Sequence, residues 1–165
     1  MTNKPISIIA AVAENGAIGK DNKLLCYLPE DLKRFRQITI GHTVLMGKNT
    51  YLSLPFRPLK DRRNIIISDV PGELIPRCLI AWSIEEAIEK CDSDNENFVI
   101  GGASIYRQMM PLASKLYITR IYKCFDADTF FPEIDMKLWK LTEESPLETD
   151  DASGLRYAFL TYERI

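Results

Sequence analysis

From Pro5 to Ala13 the chain reads PISIIAAVA, a nearly continuous apolar run broken only by Ser7. Such a run suits a strand covered on both faces, because a strand with one face in water alternates apolar and polar residues. A strand buried on both faces belongs at the centre of a layered sheet, and this constrains the architecture more than any other feature of the sequence. The start, from Met1 to Ala13, also imitates a secretory leader, since Lys4 precedes the run and Ala11-Val12-Ala13 closes it. The run is short for that role, as leaders need about 15–30 residues with a longer apolar middle. A central strand is therefore the expectation. No later apolar run approaches the ~20 residues that span a bilayer, and the chain is expected in the cytoplasm.

The following segments supply neighbours for that strand. Glu14-Asn15-Gly16 and Gly19-Lys20-Asp21-Asn22 are turn residues, so a long irregular loop is predicted to run to about Leu28. Long loops in compact domains are often functional. Leu28-Pro29-Glu30-Asp31 then opens a helix, with Pro29 near the first helical position and acids in the first turn where the dipole favours them. Leu28, Leu32, Phe35 and Thr39 give it an apolar stripe, while Lys33, Arg34 and Arg36 cover the other side. Strands are predicted at 43–47, 64–68, 78–81 and 98–100, and short helices at 49–54, 84–91 and 103–110. Ser83-Ile84-Glu85-Glu86 fits a capping box for the second of these helices, and Pro111 stops the third. Strands at 115–123, 138–143 and 155–164 follow with no helix between them. Early alternation and late succession predict a mixed α/β sheet, parallel first and antiparallel at its C-terminal edge.

In 165 residues, 46% of them hydrophobic and 27% charged, there is material for one core, so a single domain over 1–165 is expected. The net charge of -2 and a pI near 5.5 provide no broad basic field. That argues against nucleic acid or a membrane surface as partner and favours a small-molecule task. Cys26, Cys78, Cys91 and Cys124 form no CxxC pair and His42 is the single imidazole, so reduced thiols and no metal site are expected. GxGxxG, GxxxxGK[ST] and GxSxG are all missing, which removes the common dinucleotide, phosphate-loop and hydrolase signatures.

The remaining chemistry lies in a few residues. Asp31, beside Leu32 and one turn before Phe35, stands on the border of an apolar helical face. It is either an acid serving the helix dipole or a half-buried carboxylate able to accept two hydrogen bonds from an amidine-like ring edge. Gly101-Gly102 joins a buried strand to a helix start and is either a tight turn or a place where backbone N–H groups hold a diphosphate. Thr50, near the start of the short helix after Gly47, is a cap or a second phosphate contact, and Lys48 is a solvated lysine or a further one. Arg57 and Arg62-Arg63 are loop charges, of a type that can clamp a carboxylate. His42 reads as a solvated loop residue with nothing paired to it, and Trp82 and Trp139 as core or edge packing.

Taken in order, Ile6-Ser7-Ile8-Ile9-Ala10-Ala11, Gly16-Ala17-Ile18-Gly19, Leu28-Pro29-Glu30-Asp31-Leu32-Lys33-Arg34-Phe35, Met46-Gly47-Lys48-Asn49-Thr50, Ile100-Gly101-Gly102-Ala103 and Asp128-Thr129-Phe130-Phe131-Pro132 resemble the bacterial chromosomal-type dihydrofolate reductases. The likeness spans nearly the whole chain. It implies the single-domain fold of that family, a mainly parallel mixed sheet of roughly eight strands with flanking helices. It also implies reduction of dihydrofolate to tetrahydrofolate by NADPH for one-carbon metabolism, in a monomer open to antifolate inhibitors. Asp31 would hold the pterin amino group and ring N–H with Thr119 as companion, and act as the essential acid. Ile9, Leu32, Phe35, Leu54 and Ile100 would line the pterin and benzoyl pocket, and Arg62, with Arg57 as a weaker neighbour, would bind the glutamate tail. Ala11 would grip the nicotinamide carboxamide, with Ile18 and Gly19 on a closing loop. Lys48, Asn49, Thr50, Ser68, Gly101, Gly102, Ala103, Ser104, Ile105 and Tyr106 would bind phosphates and adenosine.

The chain departs from the family pattern at three places. Leu25-Cys26 replaces a usual Pro-Trp, removing an indole beside the pterin. Leu54-Pro55-Phe56-Arg57-Pro58 is one residue longer than the common pattern. Ser104 stands where an arginine often assists the 2′-phosphate and Asp69 follows Ser68, leaving Lys48 more of the choice between NADPH and NADH. Two other readings are a same-fold reductase acting on a ribosylated aminopyrimidine of riboflavin synthesis and a folate or nucleotide binder without activity, since fold alone never proves catalysis. The Leu28 to Phe35 segment speaks against the first, and Asp31 with Thr119 against the second.

Overall fold

The computed structural model describes residues 3–165; Met1 and Thr2, the first residues of the leader-like segment and of the expected domain, lie outside the described residues. In chain order the elements are β1 (Ile6–Ala13), β2 (Ala17–Gly19), α1 (Pro29–Thr39), β3 (Thr43–Gly47), α2 (Lys48–Ser53), β4 (Arg63–Ile67), β5 (Leu79–Ala81) and α3 (Ile84–Glu89). There follow β6 (Asn97–Val99), α4 (Ala103–Met109), β7 (Lys115–Ile121), β8 (Thr129–Phe130), β9 (Trp139–Glu144), β10 (Glu148–Thr149) and β11 (Arg156–Arg164). Among the described residues one nine-stranded sheet runs β10-β11-β7-β1-β6-β3-β4-β5, with β9 also on β11.

The apolar run behaves as its composition requires. β1 is buried at every position but Ala11 and is flanked on both sides by parallel partners, β6 and β7. β3, β4, β5 and β6 continue the parallel half, and β11 turns antiparallel against β7, β9 and β10. Helices and loops cover both faces, dividing the core: Ile6, Ile8, Leu45 and Trp139 belong to one cluster, and Ile9, Val44, Met46 and Phe98 to another. Among the described residues no helix is long and apolar enough to cross a membrane.

Several local expectations shift by a residue or two. Ser68 and Leu54 fall just past the ends of their elements, and α4 stops at Met109. Pro111 does not end the coil there but sits inside a 3₁₀ turn, Met110–Leu112, where the missing N–H costs little. Within the predicted irregular loop, β2 pairs with β8. Leu28 is the N-cap residue of α1 and Pro29 its first helical residue.

Two side-chain expectations on α1 need correction. Leu32 is 41% exposed and does not join the core stripe, whereas Thr39 is fully buried and donates its hydroxyl back to the Phe35 carbonyl at 2.7 Å. Arg34 is not on a solvated side; its guanidinium lies 4.3 Å over the Phe159 ring. His42 also differs: its Nδ1 is 2.8 Å from the Glu96 carbonyl and its ring stacks edge-on to Phe98 at 5.2 Å, so it is an anchored packing residue. Trp139 is buried, while Trp82 lies at the surface.

At α3 the Ser83 hydroxyl accepts from the Glu86 N–H at 3.0 Å, and the Glu86 carboxylate accepts from the Trp82 N–H at 3.3 Å. The reciprocal arm thus reaches one residue beyond the cap. Ser83→Ala is expected to cost about 1 kcal/mol and lower Tm by about 2–4 °C in a thermal melt; an unchanged Tm would contradict the cap.

Candidate active site

In an open parallel sheet ligands gather at the carboxyl ends of the strands. Here that edge is formed by β1, β3, β4 and β6, and the chemistry-bearing residues sit along it or beside it. Asp31, in the first turn of α1, reaches across to β7, where the Thr119 hydroxyl donates to its carboxylate. Thr119 is itself buried and lies in register with Ala11 of β1 on one side and Phe159 of β11 on the other. Burial raises the Asp31 carboxyl above its ordinary value of 3.8, and the Thr119 hydrogen bond and the charge of Arg34 oppose that rise. A helix-dipole acid would lie in water; this one is half-buried and held from behind by a hydroxyl, leaving acceptor capacity for a ligand.

The second constellation lies two strands away, at the end of β6. The Gly101 carbonyl accepts from the Gly47 N–H at 2.9 Å, tying the ends of β6 and β3 together. Gly101 has φ +135°, and a Cβ there would stand 3.1 Å from Thr50 Oγ1; one at Gly102 would stand 3.4 Å from the same atom. Any side chain would fill this cradle, so the backbone stays open to close approach. Thr50, Gly101 and Gly102 are therefore brought together as the sequence predicts.

Other predicted residues divide. Ile9, Phe35, Leu54 and Ile100 share one hydrophobic cluster, and Leu32 stands exposed on the same helix as Asp31. Arg62 donates to Thr39 Oγ1 at 3.1 Å with its guanidinium 5.9 Å from the Phe35 ring, which brings it to the end of α1. Arg57 is turned back on the preceding helix, α2, donating to the Leu52 carbonyl at 2.7 Å. Ile18 and Gly19 form part of β2. Asn49 and Ser104 are exposed and Ala103 is half-buried. Ile105 and Tyr106 lie inside the fold: Ile105 abuts Gly47, and the Tyr106 hydroxyl donates to the Ile9 carbonyl at 2.9 Å. They support the cradle from behind.

Sequence reasoning missed three neighbours, Arg34, Phe159 and Glu73. Arg34 supplies the cation near Asp31. Its place one helical turn after that acid was the available signal, while nothing local pointed to Phe159, which lies on the last strand. Cys26 is half-buried, and burial followed by the Asp31 charge raises its thiol above the usual value, so it stays protonated. Glu73 bonds to both Lys48 and Ser68; an acid just after Pro71-Gly72 was the signal available.

An acid anchored over one strand and a glycine cradle two strands away make up the candidate site of this α/β domain. The dihydrofolate reductase family profile matches residues 5–164. Similar chains include the dihydrofolate reductases of Bacillus subtilis (strain 168), 40% identical over 96% of this chain and 94% of that one, and of Neisseria meningitidis serogroup B, 42% identical over 96% and 98%. A dihydrofolate reductase from Enterococcus faecalis, solved in complex with NADP(H) and RAB-propyl, superposes with a TM-score of 0.89 at 32% identity, covering 97% of this chain and 96% of that one. The chain belongs to the dihydrofolate reductase family.

Proposed function

We propose that this chain reduces 7,8-dihydrofolate to 5,6,7,8-tetrahydrofolate with NADPH, and that Asp31 is its acid. The observation that carries this reading is the half-buried Asp31 carboxylate backed by the Thr119 hydroxyl. A carboxylate so placed accepts two parallel hydrogen bonds from an amino group and an adjacent ring N–H, and its charge strengthens both. Ile9, Leu32, Phe35, Leu54 and Ile100 offer the flat apolar walls a pterin and benzoyl group need, and Arg62 a cation for the glutamate carboxylate.

The residues present fit the cofactor. The cradle at Gly101 and Gly102 that a Cβ would fill admits a diphosphate to the backbone, and Thr50, Ser68 and Lys48 are the hydroxyl and ammonium donors phosphates take. When bound, NADPH supplies the hydride that goes to pterin C6, with N5 taking its proton from water. Asp31 polarises and positions the ring and favours its protonated form. Ala11, beside Thr119 in register, offers backbone groups for the carboxamide. The reading includes a cytoplasmic monomer whose partners are dihydrofolate and antifolate inhibitors; a net charge of -2 gives it no electrostatic pull toward nucleic acid or a membrane surface.

Following NADPH absorbance in the near ultraviolet tests this. Loss of absorbance only after dihydrofolate is added, one NADPH per tetrahydrofolate formed, is expected. Consumption with a ribosylated aminopyrimidine instead would transfer the chain to the riboflavin-type reaction, and binding without consumption would make it a non-catalytic binder.

A further inference from the structure

Lys48 and Ser68 are adjacent for a topological reason. β3 and β4 run parallel with Gly47 opposite Ile67, so the next residue on each strand emerges at the same point of the carboxyl edge. Both are engaged by one carboxylate: one oxygen of Glu73 takes the Ser68 hydroxyl and the other the Lys48 ammonium. The turn that delivers Glu73 is built for it. Pro71 and Gly72 occupy its centre, Gly72 has φ +75°, the Glu73 N–H closes it on the Val70 carbonyl at 3.2 Å, and Val70 N–H donates to Ser68 Oγ at 3.1 Å. A Pro-Gly centre with positive φ at the glycine is a type II turn. The bonds from Lys48 and Ser68 hold the Glu73 carboxyl below its ordinary value.

An ammonium and a hydroxyl converging on one point are the donor set of a phosphate monoester, and NADPH differs from NADH by one such group on its adenosine ribose. We propose that Glu73 is an internal stand-in for that phosphate and sets the choice between the two cofactors, because the phosphate gains Lys48 and Ser68 only as Glu73 releases them. This rests on the reading above that these residues hold the cofactor. Asp69, exposed beside Ser68, adds like charge without bonding to either donor, which makes it the control for simple repulsion.

Calorimetric titration of the full chain with NADP⁺ and with NAD⁺, without substrate, tests the proposal on the unmodified protein, Glu73→Gln and Asp69→Asn. Glu73→Gln is expected to tighten NADP⁺ by about fivefold while NAD⁺ changes by less than about twofold, and Asp69→Asn to have a clearly smaller effect. Equal gains for both nucleotides, an Asp69→Asn effect as large as that of Glu73→Gln, or a lower Tm in Glu73→Gln with unaltered NADP⁺ affinity would overturn it; the last would reduce Glu73 to a clasp on its turn. Failure of the unmodified chain to bind NADP⁺ at all would overturn the cofactor reading and this proposal together.

Discussion

Asp31→Asn is expected to lower turnover by about 100- to 10,000-fold and, at neutral pH, to raise Tm. The two effects have one cause. Burial lifts the folded-state pKa of Asp31 above its ordinary 3.8, so the folded chain binds that proton more readily than the unfolded one. The linked stability is fully present below the unfolded value and is lost as pH rises through the folded one. At neutral pH the ionised carboxylate therefore weighs against folding, and asparagine, neutral and still able to accept from Thr119, removes that weight. Melts of both proteins at pH 7 and below pH 4 check this: the variant melts higher at pH 7 and the gap closes in acid. A variant that melts lower at pH 7 would show that the Thr119 and Arg34 interactions outweigh burial.

Gly101→Ala is expected to destabilise the fold by about 1–3 kcal/mol, the cost of forcing a side chain into sparsely allowed backbone space, and to weaken NADPH binding by about tenfold or more. At φ +135° a Cβ strains the backbone in any surroundings, and here it also meets Thr50 Oγ1 at 3.1 Å and comes within 3.6 Å of the Tyr106 hydroxyl. Gly154→Ala separates the two components, because Gly154 also has positive φ, +73°, but opens on space. Both variants should lose stability in a denaturant melt, and only Gly101→Ala should lose affinity in an NADPH titration. Equal NADPH affinity in Gly101→Ala would contradict the cradle.

What could be read from the sequence was whatever is specified within a few residues. The apolar run of β1, the Leu28-Pro29 start of α1 and the Ser83 cap are local, and the structure has them. The pairing of β2 with β8 is not local: each is a few residues long and specified by a partner more than a hundred positions away. The same holds for side chains. His42 looks solvated until Phe98 and the Glu96 carbonyl are brought beside it, and Arg34 looks like surface charge until Phe159 arrives from the last strand. Asp31 was legible as an acid on an apolar border, but its backing by Thr119 and its raised pKa depend on β7. Lys48 and Ser68 were legible as donors; that Glu73 already engages them required the register of β3 with β4 and the turn at Pro71-Gly72.

The central claim is that the acid this fold half-buries beside Thr119 serves the reduction of dihydrofolate. A single-turnover experiment tests it most directly: the chain, saturated with NADPH, is mixed rapidly with dihydrofolate and nicotinamide absorbance is followed, in the unmodified protein and in Asp31→Asn. The account predicts one NADPH consumed per site in the unmodified chain and a rate at least about 100-fold slower in the variant. Equal rates in the two proteins, or no consumption in either, would contradict it.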